Sequence, residues 1–354
     1  MLNPHTISGK LFELGLDYHP VAGMVELTRR CNLTCGYCYH RQERINDTAD
    51  LPTTSVFKII DKLYDIGILG LCFTGGEPFI REDILDILEH TRSKGFFTCT
   101  FLSNGSMLTD QHIRYLGQHC TFFPTIKFSV YSHIPELHDN FVGYPGHLKR
   151  LIENGKKLQD AGIIVHVAFN ILDFNVASFA ETIDYFKSQG FYLDYGLEKV
   201  IEPATQDVMR LNAYTTQSFY SSFLNHATPG VVAEHQKKYA IGHSQSIDQR
   251  PCTGLITSIT IDSDGGIKPC LGFRKLIIGN AVTDSRSLRD ILIESDEYRS
   301  LRDLKKTDIP LCRECRHNNF CAVCIGMMHS TNGDFSTPPA QTCNYACAVE
   351  SKFS

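Results

Sequence analysis

Clustered cysteines are the residues of this chain that are best suited to chemistry. Fourteen of its 354 residues are cysteines. Three of them, Cys31, Cys35 and Cys38, stand in the segment CNLTCGYC with the spacing C-x3-C-x2-C. Three thiolates this close together suit an iron–sulfur cluster, whose protein ligands are chiefly cysteines. In a four-iron cluster they would leave one iron open to a small molecule.

Two other interpretations of this cysteine segment stay open. Spacings of four and three also place thiols on one face of a buried helix, but the flanking Arg29 and Arg30 are polar and Gly36 interrupts the run. A zinc site is the second alternative. Structural zinc takes four ligands, and His40 is the nearby residue that supplies a fourth.

A second set of eight cysteines lies in the last third of the chain. It follows the pattern C-x12-G-x4-C, then C-x2-C-x5-C-x2-C, then C-x3-C. Its members are Cys252, Cys270, Cys312, Cys315, Cys321, Cys324, Cys343 and Cys347. Because no signal peptide opens the sequence, disulfides are not expected. Metal clusters or two zinc ions are the alternatives that would stabilise the fold of such a segment.

The overall composition is that of a globular protein. The hydrophobic fraction is 42% and the net charge is −5, which argues against disorder and against broad electrostatic binding to nucleic acid or an anionic membrane. No apolar run is long enough to span a bilayer. We therefore expect a cytoplasmic protein with neither nucleic acid nor membrane as a partner.

Strand-like and helix-like patterns alternate six times in the first 200 residues, which predicts an α/β fold with a parallel sheet. The predicted strands are Val21–Leu27, Leu69–Thr74, Phe96–Leu102, Ile126–Tyr131, Ile163–Asn170 and Phe191–Val200. The pattern fits an open sheet or a partial barrel. Ligands of such folds lie at the carboxyl ends of the strands. The first cysteine segment, Gly75–Glu77 and Ser103–Gly105 follow the first three predicted strands.

The sequence changes character near residue 250. We expect an N-terminal extension at 1–20, a partial barrel at 21–200, a connecting helical region at 201–249 and a cysteine-rich domain at 250–354. A helix is predicted over 214–223. Ser258–Ile261 and Ile267–Cys270 read as a hairpin, because Asp and Gly residues separate them. Little apolar periodicity follows Ile309, so that part is predicted to be loop-rich.

The first cysteine segment, with the aromatic Tyr37 before its third cysteine, resembles the signature of radical S-adenosylmethionine (radical SAM) enzymes. The segment TGGEP at residues 74–78 resembles the GGE motif of that family, and SNG at 103–105 resembles the segment that ends its third strand. The resemblance implies a partial (β/α)6 barrel. It also implies a [4Fe–4S] cluster on the three cysteines, whose open iron binds SAM. One-electron reduction then cleaves SAM to methionine and a 5′-deoxyadenosyl radical.

The resemblance also implies residues that contact SAM. Gly75, Gly76 and Glu77 would meet the methionyl amine, Tyr37 would lie near the adenine, and Asn104 or Ser129 would lie near the ribose or carboxylate. For the first three the chemistry is plain, since glycines permit close backbone approach and a carboxylate suits an ammonium group. For Tyr37, Asn104 and Ser129 an ordinary structural role is an equal alternative.

The second cysteine set is similar to the SPASM domain of radical SAM enzymes. It departs from that pattern by one residue at Cys321-x2-Cys324 and by the additional Cys347. The resemblance implies up to two auxiliary [4Fe–4S] clusters. The outer cluster would be held by Cys312, Cys315, Cys321 and Cys343. The inner cluster would be held by Cys252, Cys270 and Cys324, with Cys347, another residue or the substrate as its fourth ligand.

SPASM enzymes often modify peptides, so the resemblance implies an oxidoreductase or maturase that acts on a ribosomally made peptide. The alternative is the same radical chemistry on a small molecule or a cofactor or haem precursor. A metal-stapled binding module without catalysis is a third interpretation. Only about 20 residues precede the first predicted strand, so a peptide would need a separate leader-binding carrier protein or would bind directly. Leu271 stands where sulfatase-maturing relatives have an Asp, so that branch is not expected. A flavodoxin or ferredoxin-type protein would donate the electron.

Overall fold

A computed structural model of the chain describes residues 20–36, 38, 40, 49–172, 174–197, 250–252, 254–318, 321 and 323–353. The helix predicted over 214–223, the connecting region 201–249 and Tyr37 lie outside the described residues. Among the helices that are described, none is both long and apolar enough to cross a membrane.

Six parallel strands form the first part of the molecule, in the order in which they occur along the chain. They are β1 (Ala22–Glu26), β2 (Gly70–Thr74), β3 (Thr98–Ser103), β4 (Thr125–Val130), β5 (Ile164–Ile171) and β6 (Tyr192–Leu197). All six predicted strands are therefore present, and each end lies within three residues of its predicted position.

Helices connect these strands and cover one face of the sheet. They are α1 (Thr53–Asp65), α2 (Ile84–Lys94), α3 (Asp110–Gln118), α4 (Pro135–Val142), α5 (His147–Asp160) and α6 (Phe179–Ser188). Apolar residues recur at helical spacing in the sequence at 56–63, 84–88, 148–158 and 179–186, which predicts α1, α2, α5 and α6 but not α3 or α4. Thr109 caps α3 by accepting a hydrogen bond from the His112 N–H, and Pro135 begins α4, where a missing N–H costs nothing.

The core lies between the helices and the sheet. Because side chains alternate along a strand, every second residue faces this layer. Four neighbouring strands, β2 to β5, each contribute a fully buried ring to it: Phe73, Phe101, Phe128 and Phe169. Each such ring stabilises the fold by roughly 1.5–3 kcal/mol through burial. The opposite face of the sheet is more polar and partly exposed, with Lys127 and His166 in register on β4 and β5.

The cysteine-rich part joins this sheet directly. Strand β7 (Ser258–Ile261) pairs in parallel with β1 on the side away from β2, and β8 (Gly266–Lys268) pairs with β7 as the predicted hairpin. The short β9 (Gly279–Asn280) completes a nine-stranded sheet in the described residues. Since both edges of β1 are taken by β2 and β7, β1 does not pair with β6 and the barrel stays open.

Helices occupy much of the C-terminal part, which the sequence predicted to be loop-rich. After α7 (Gly254–Thr257), which precedes β7, they follow β9 along the chain. They are α8 (Leu288–Glu294), α9 (Asp296–Asp303), α10 (Pro310–Arg313), α11 (Ile325–Asn332) and α12 (Ala340–Phe353). They are mostly short and are packed around cysteines as well as around aliphatic side chains, so their apolar spacing is weak in the sequence.

Candidate active site

The first three cysteines lie in the loop that follows β1, at the carboxyl edge of the sheet. The thiols of Cys31, Cys35 and Cys38 are half-buried. The Cys38 N–H donates to the Cys35 carbonyl at 3.2 Å, which turns the chain between the second and third cysteines. The loop is also fixed from outside, because the Thr34 N–H donates to the carbonyl of Val142 at the end of α4.

Gly75 and Gly76 hold this cysteine loop through backbone contacts. The Gly76 N–H donates to the Thr28 carbonyl at 2.7 Å, and the Glu77 N–H donates to the Arg30 carbonyl at 2.9 Å. A Cβ atom on Gly76 would lie 2.1 Å from the Arg30 oxygen, and one on Gly75, whose φ is +134°, would lie 2.3 Å from the Thr28 oxygen. Side chains are therefore excluded at both positions by the cysteine loop itself.

The Glu77 side chain points inward and ties β2 to β3. Oε1 accepts hydrogen bonds from the Phe79 N–H at 3.1 Å and the Ser103 hydroxyl at 2.9 Å, while Oε2 accepts from the Asn104 N–H at 2.7 Å. The side chain is fully buried. Burial raises the pKa of Glu77 to about 7, although these three hydrogen bonds act to lower it. Its carboxylate is thus engaged by protein groups in this structure.

Asn104 connects the end of β3 to the cysteine loop. Its side-chain Nδ2 donates to Asn32 Oδ1 at 2.8 Å and lies 3.7 Å from Cys31 Sγ. Its Oδ1 accepts from both the N–H and the hydroxyl of Ser106. The structure therefore brings Cys31, Glu77 and Asn104 together at one edge. Ser129 lies half-buried on β4, and no described contact joins it to these three.

The later cysteines that the structure describes include two sets of interacting thiols. Cys252, Cys270 and Cys324 interact electrostatically, and burial together with the other two thiols raises the pKa of Cys270 to about 12. A Cβ atom on Gly272 would lie 3.4 Å from Cys270 Sγ and 3.8 Å from Cys324 Sγ. The sulfurs of Cys270 and Cys324 therefore both lie close to the same point beside Gly272.

The second group contains Cys312, Cys315 and Cys343. Burial, with Cys343 and Cys315 nearby, raises the pKa of Cys312 to about 11. Cys343 also interacts with Cys347. Asn318 fixes the C-x2-C turn, because its Nδ2 donates to the carbonyls of Cys312 at 2.8 Å and Cys315 at 2.9 Å.

Both donor sets consist of thiols, which fits iron–sulfur clusters. In the described parts of the chain, no three His, Cys, Asp or Glu side chains converge on one point as ligands of a single metal ion do.

Comparison with known proteins identifies both parts of the chain. Residues 25–186 match the Radical SAM superfamily, and residues 252–316 match SPASM, an iron–sulfur cluster-binding domain. The chain is a radical SAM enzyme with a SPASM domain. The predicted fold class is confirmed, and so are the predicted cofactors, which are [4Fe–4S] clusters and SAM.

Relatives of this radical SAM/SPASM enzyme differ in what their names say they act on. An AdoMet-dependent heme synthase of Oleidesulfovibrio alaskensis is 24% identical over 84% of this chain and 81% of the relative. A PqqA peptide cyclase of Methylocella silvestris is 24% identical over 84% of this chain and 80% of the relative.

Solved structures share the fold. The enzyme anSMEcpe with bound AdoMet has a TM-score of 0.73 at 15% identity, covering 94% of this chain and 97% of that one. Streptococcus suis SuiB bound to its precursor peptide SuiA has a TM-score of 0.62 at 19% identity, covering 92% and 76%. At these identities the likeness establishes the fold alone.

A buried charge cluster that the sequence did not reveal joins the radical SAM and SPASM parts. Lys268 Nζ lies 3.0 Å from Asp262 Oδ2 and 3.9 Å from Glu26 Oε2, and His40 Nε2 lies 3.2 Å from Glu26 Oε1. Burial alone would raise the pKa of Glu26, but the hydrogen bond and charge of His40, with Lys268 and Arg274, lower it to about 2. His40, which was a possible zinc ligand, is thus paired with a carboxylate.

A pair of buried histidines lies behind Asn104. The Tyr131 N–H donates to His138 Nδ1 at 3.3 Å, so His138 carries its hydrogen on Nε2 and donates to His147 Nδ1 at 2.8 Å. Because His147 Nδ1 is the acceptor, the single N–H hydrogen of neutral His147 lies on Nε2, on the side of the Asn104 backbone. Burial is the main cause that lowers the pKa of His138 to about 3 and that of His147 to about 4. Both rings are therefore neutral near pH 7.

We predict that Gly76→Ala removes the cluster of the cysteine loop. The new Cβ would overlap the Arg30 carbonyl, so the loop must move. Iron per chain should fall by about four from the roughly twelve that three cubes contain. Gly67→Ala is the matched control, because its Cβ would meet nothing within 4 Å and it costs only left-handed strain. Equal iron contents in the two variants would contradict the prediction.

We predict that His147→Gln makes stability less sensitive to acid. The unfolded chain protonates its histidines near pH 6.5, whereas the folded pair resists protonation until about pH 4. Stability is therefore lost as pH falls through this window, by up to ~1.4 kcal/mol per pH unit for each ring. The melting temperature of the variant should fall less between pH 7 and pH 5 than that of the wild type. His119→Gln is the control and should behave like the wild type.

Proposed function

We propose that this radical SAM/SPASM enzyme abstracts a hydrogen atom from a ribosomally made peptide, leaving a crosslink, an epimerised residue or an oxidised residue. The observation that supports the radical reaction most is the clamp on the cysteine loop by Gly76, Glu77 and Asn104. Relatives named for a peptide substrate and a precursor peptide support the substrate class.

We assign the cluster ligands from the thiol groups. Cys31, Cys35 and Cys38 hold the cluster that binds SAM. Bound SAM and this cluster supply the 5′-deoxyadenosyl radical that takes the hydrogen atom. Cys312, Cys315, Cys321 and Cys343 hold the outer auxiliary cluster, and Cys252, Cys270 and Cys324 hold the inner one. Cys343 and Cys347 interact electrostatically, which makes Cys347 a candidate for the outer group as well as for the inner one.

The residues around the SAM site have separable roles in this proposal. Gly75 and Gly76 fix the cysteine loop against β2. The Asn104 amide, 3.7 Å from Cys31 Sγ, donates towards that sulfur, and such hydrogen bonds tune a cluster. The inward carboxylate of Glu77 orders the Asn104 backbone, so we place its effect on SAM through this backbone. Tyr37 at the adenine and Ser129 at the ribose or carboxylate stay part of the proposal.

The proposed partners follow from the reaction. A flavodoxin or ferredoxin-type protein supplies the electron, and a separate carrier protein presents the leader of the peptide. We place the enzyme in the cytoplasm, where its many thiols stay reduced.

A second candidate function is radical chemistry on a haem precursor. The similarity to a heme synthase, which covers more than 80% of both chains, favours it. The two candidates share the cysteine loop and the clamp and differ only in the substrate.

We predict that replacing Cys31, Cys35 and Cys38 together with Ala abolishes reductive SAM cleavage and spares the C-terminal clusters. The variant should retain about eight irons, as two cubes require, and should release no 5′-deoxyadenosine with dithionite. Cys321→Ala is the complementary control and should lower substrate turnover more than SAM cleavage. 5′-Deoxyadenosine from the triple variant would refute the ligand assignment.

We predict that deuterium from a perdeuterated peptide appears in 5′-deoxyadenosine. The peptide to use is one encoded beside the gene, and an iron porphyrin that carries deuterated propionate side chains is offered in a separate assay as the alternative substrate. Mass spectrometry of 5′-deoxyadenosine reads the transferred atom directly. Label from the porphyrin and none from the peptide would overturn the peptide proposal and favour the second candidate.

A further inference from the structure

Lys306 is a buried cation at the entrance to the outer group of cysteines. It lies in the single helical turn Lys306–Asp308, immediately before α10, which carries Cys312. Its side chain is only 1% exposed. Its ammonium nitrogen donates to the backbone carbonyl of Cys321 at 3.3 Å. The side chain thus extends between two residues that we assign as ligands of one cluster.

No carboxylate within the described residues forms an ion pair with Lys306. Asp308, the acid nearest in sequence, is exposed and accepts a hydrogen bond from the Lys305 N–H instead. A single carbonyl does not compensate a buried ammonium, because removing the charge from water is costly unless an opposite charge faces it.

Other buried cations of the protein do have carboxylate partners. Lys268 lies 3.0 Å from Asp262, and Arg81 lies 2.7 Å from Asp83. Lys306 differs from both, because its ammonium group meets the Cys321 carbonyl and no carboxylate among the described residues. The ammonium group is also close enough to interact electrostatically with the Cys312 thiol.

We propose that Lys306 is the built-in counter-charge of the outer auxiliary cluster and raises its reduction potential. Four thiolates around a cube give a net negative group, and each added electron makes it more negative. A fixed cation beside it favours the reduced form. The proposal rests on the ligand assignment made under the proposed function and adds a residue that the cysteine pattern does not contain.

The first test compares the thermal stability of Lys306→Met with and without clusters. In cluster-free protein the ammonium is buried without a counter-charge, so removing it should raise the melting temperature. In anaerobically loaded protein the same change leaves the cluster uncompensated and should lower the melting temperature. Lys305→Met is the matched control, because it removes an exposed charge one residue away and should shift neither. A lysine with a purely structural role would move both forms in the same direction, which would overturn the proposal.

The second test measures reduction potentials in the loaded holoenzyme by titration followed with electron paramagnetic resonance. Lys306→Met should shift one auxiliary cluster to a more negative potential and leave the SAM-binding cluster unchanged. Lys306→Arg keeps the charge and should restore the wild-type value, which also covers the case in which the Met variant folds poorly. Unchanged potentials in a fully loaded Met variant would refute the proposal.

Metal analysis of the wild type separates this proposal from the proposed function. About eight irons with zinc in the outer group would refute the cluster assignment. Lys306→Met should still raise the melting temperature of the metal-free protein and lower that of the zinc-loaded protein, since zinc held by four thiolates is also a negative group. Twelve irons with no effect of Lys306→Met would leave the proposed function standing and remove only the role of Lys306.

Discussion

The position of the cysteine loop after β1 depends on a buried carboxylate. Glu77 leaves β2, turns inward and receives three hydrogen bonds, two of them from Ser103 and Asn104 at the end of β3. Burying a carboxylate is unfavourable unless its oxygens are satisfied, so these donors must stay in place. Because the N–H groups of Gly76 and Glu77 also hold the cysteine loop, one side chain couples the geometry of three strand ends.

Most of the sheet was predictable from the sequence, because apolar alternation and helical spacing are local signals. The missed helices α3 and α4 bury only two side chains each, although Thr109 as a cap and Pro135 as a first residue are recognisable in the sequence. The C-terminal helices were not predictable in this way. Their buried faces include Cys312 and Met328, and in α10 and α11 packing around thiols replaces the regular aliphatic stripe. Similarly, the pairing of β7 with β1 joins residues more than 200 positions apart.

The candidate site was likewise predictable from the sequence only in part. Spacing alone singled out the cysteines and the segments at 75–77 and 103–105. It did not show that the glycines press against the backbone of the cysteine loop rather than only leaving room for a ligand. Nor did it pair Glu26 with Lys268 or His138 with His147, since each pair forms only when separate elements pack. The signal that the sequence offered for these pairs was a charged or titratable residue at the end of a buried strand or helix.

The buried charges suggest how the two parts of the enzyme divide their work. Around the cysteine loop, His138 and His147 are neutral. At the junction, Lys268 is balanced by Asp262 and Glu26. Among the described residues, Lys306 has the Cys321 carbonyl but no carboxylate beside its ammonium group, so its charge is left for the proposed outer cluster to balance. Since β7 is hydrogen-bonded to β1, backbone pairing sets how the two parts are oriented. If Cys312 and its neighbouring thiols hold the outer cluster as proposed, the fixed positive charge of Lys306 would favour electron transfer towards that cluster.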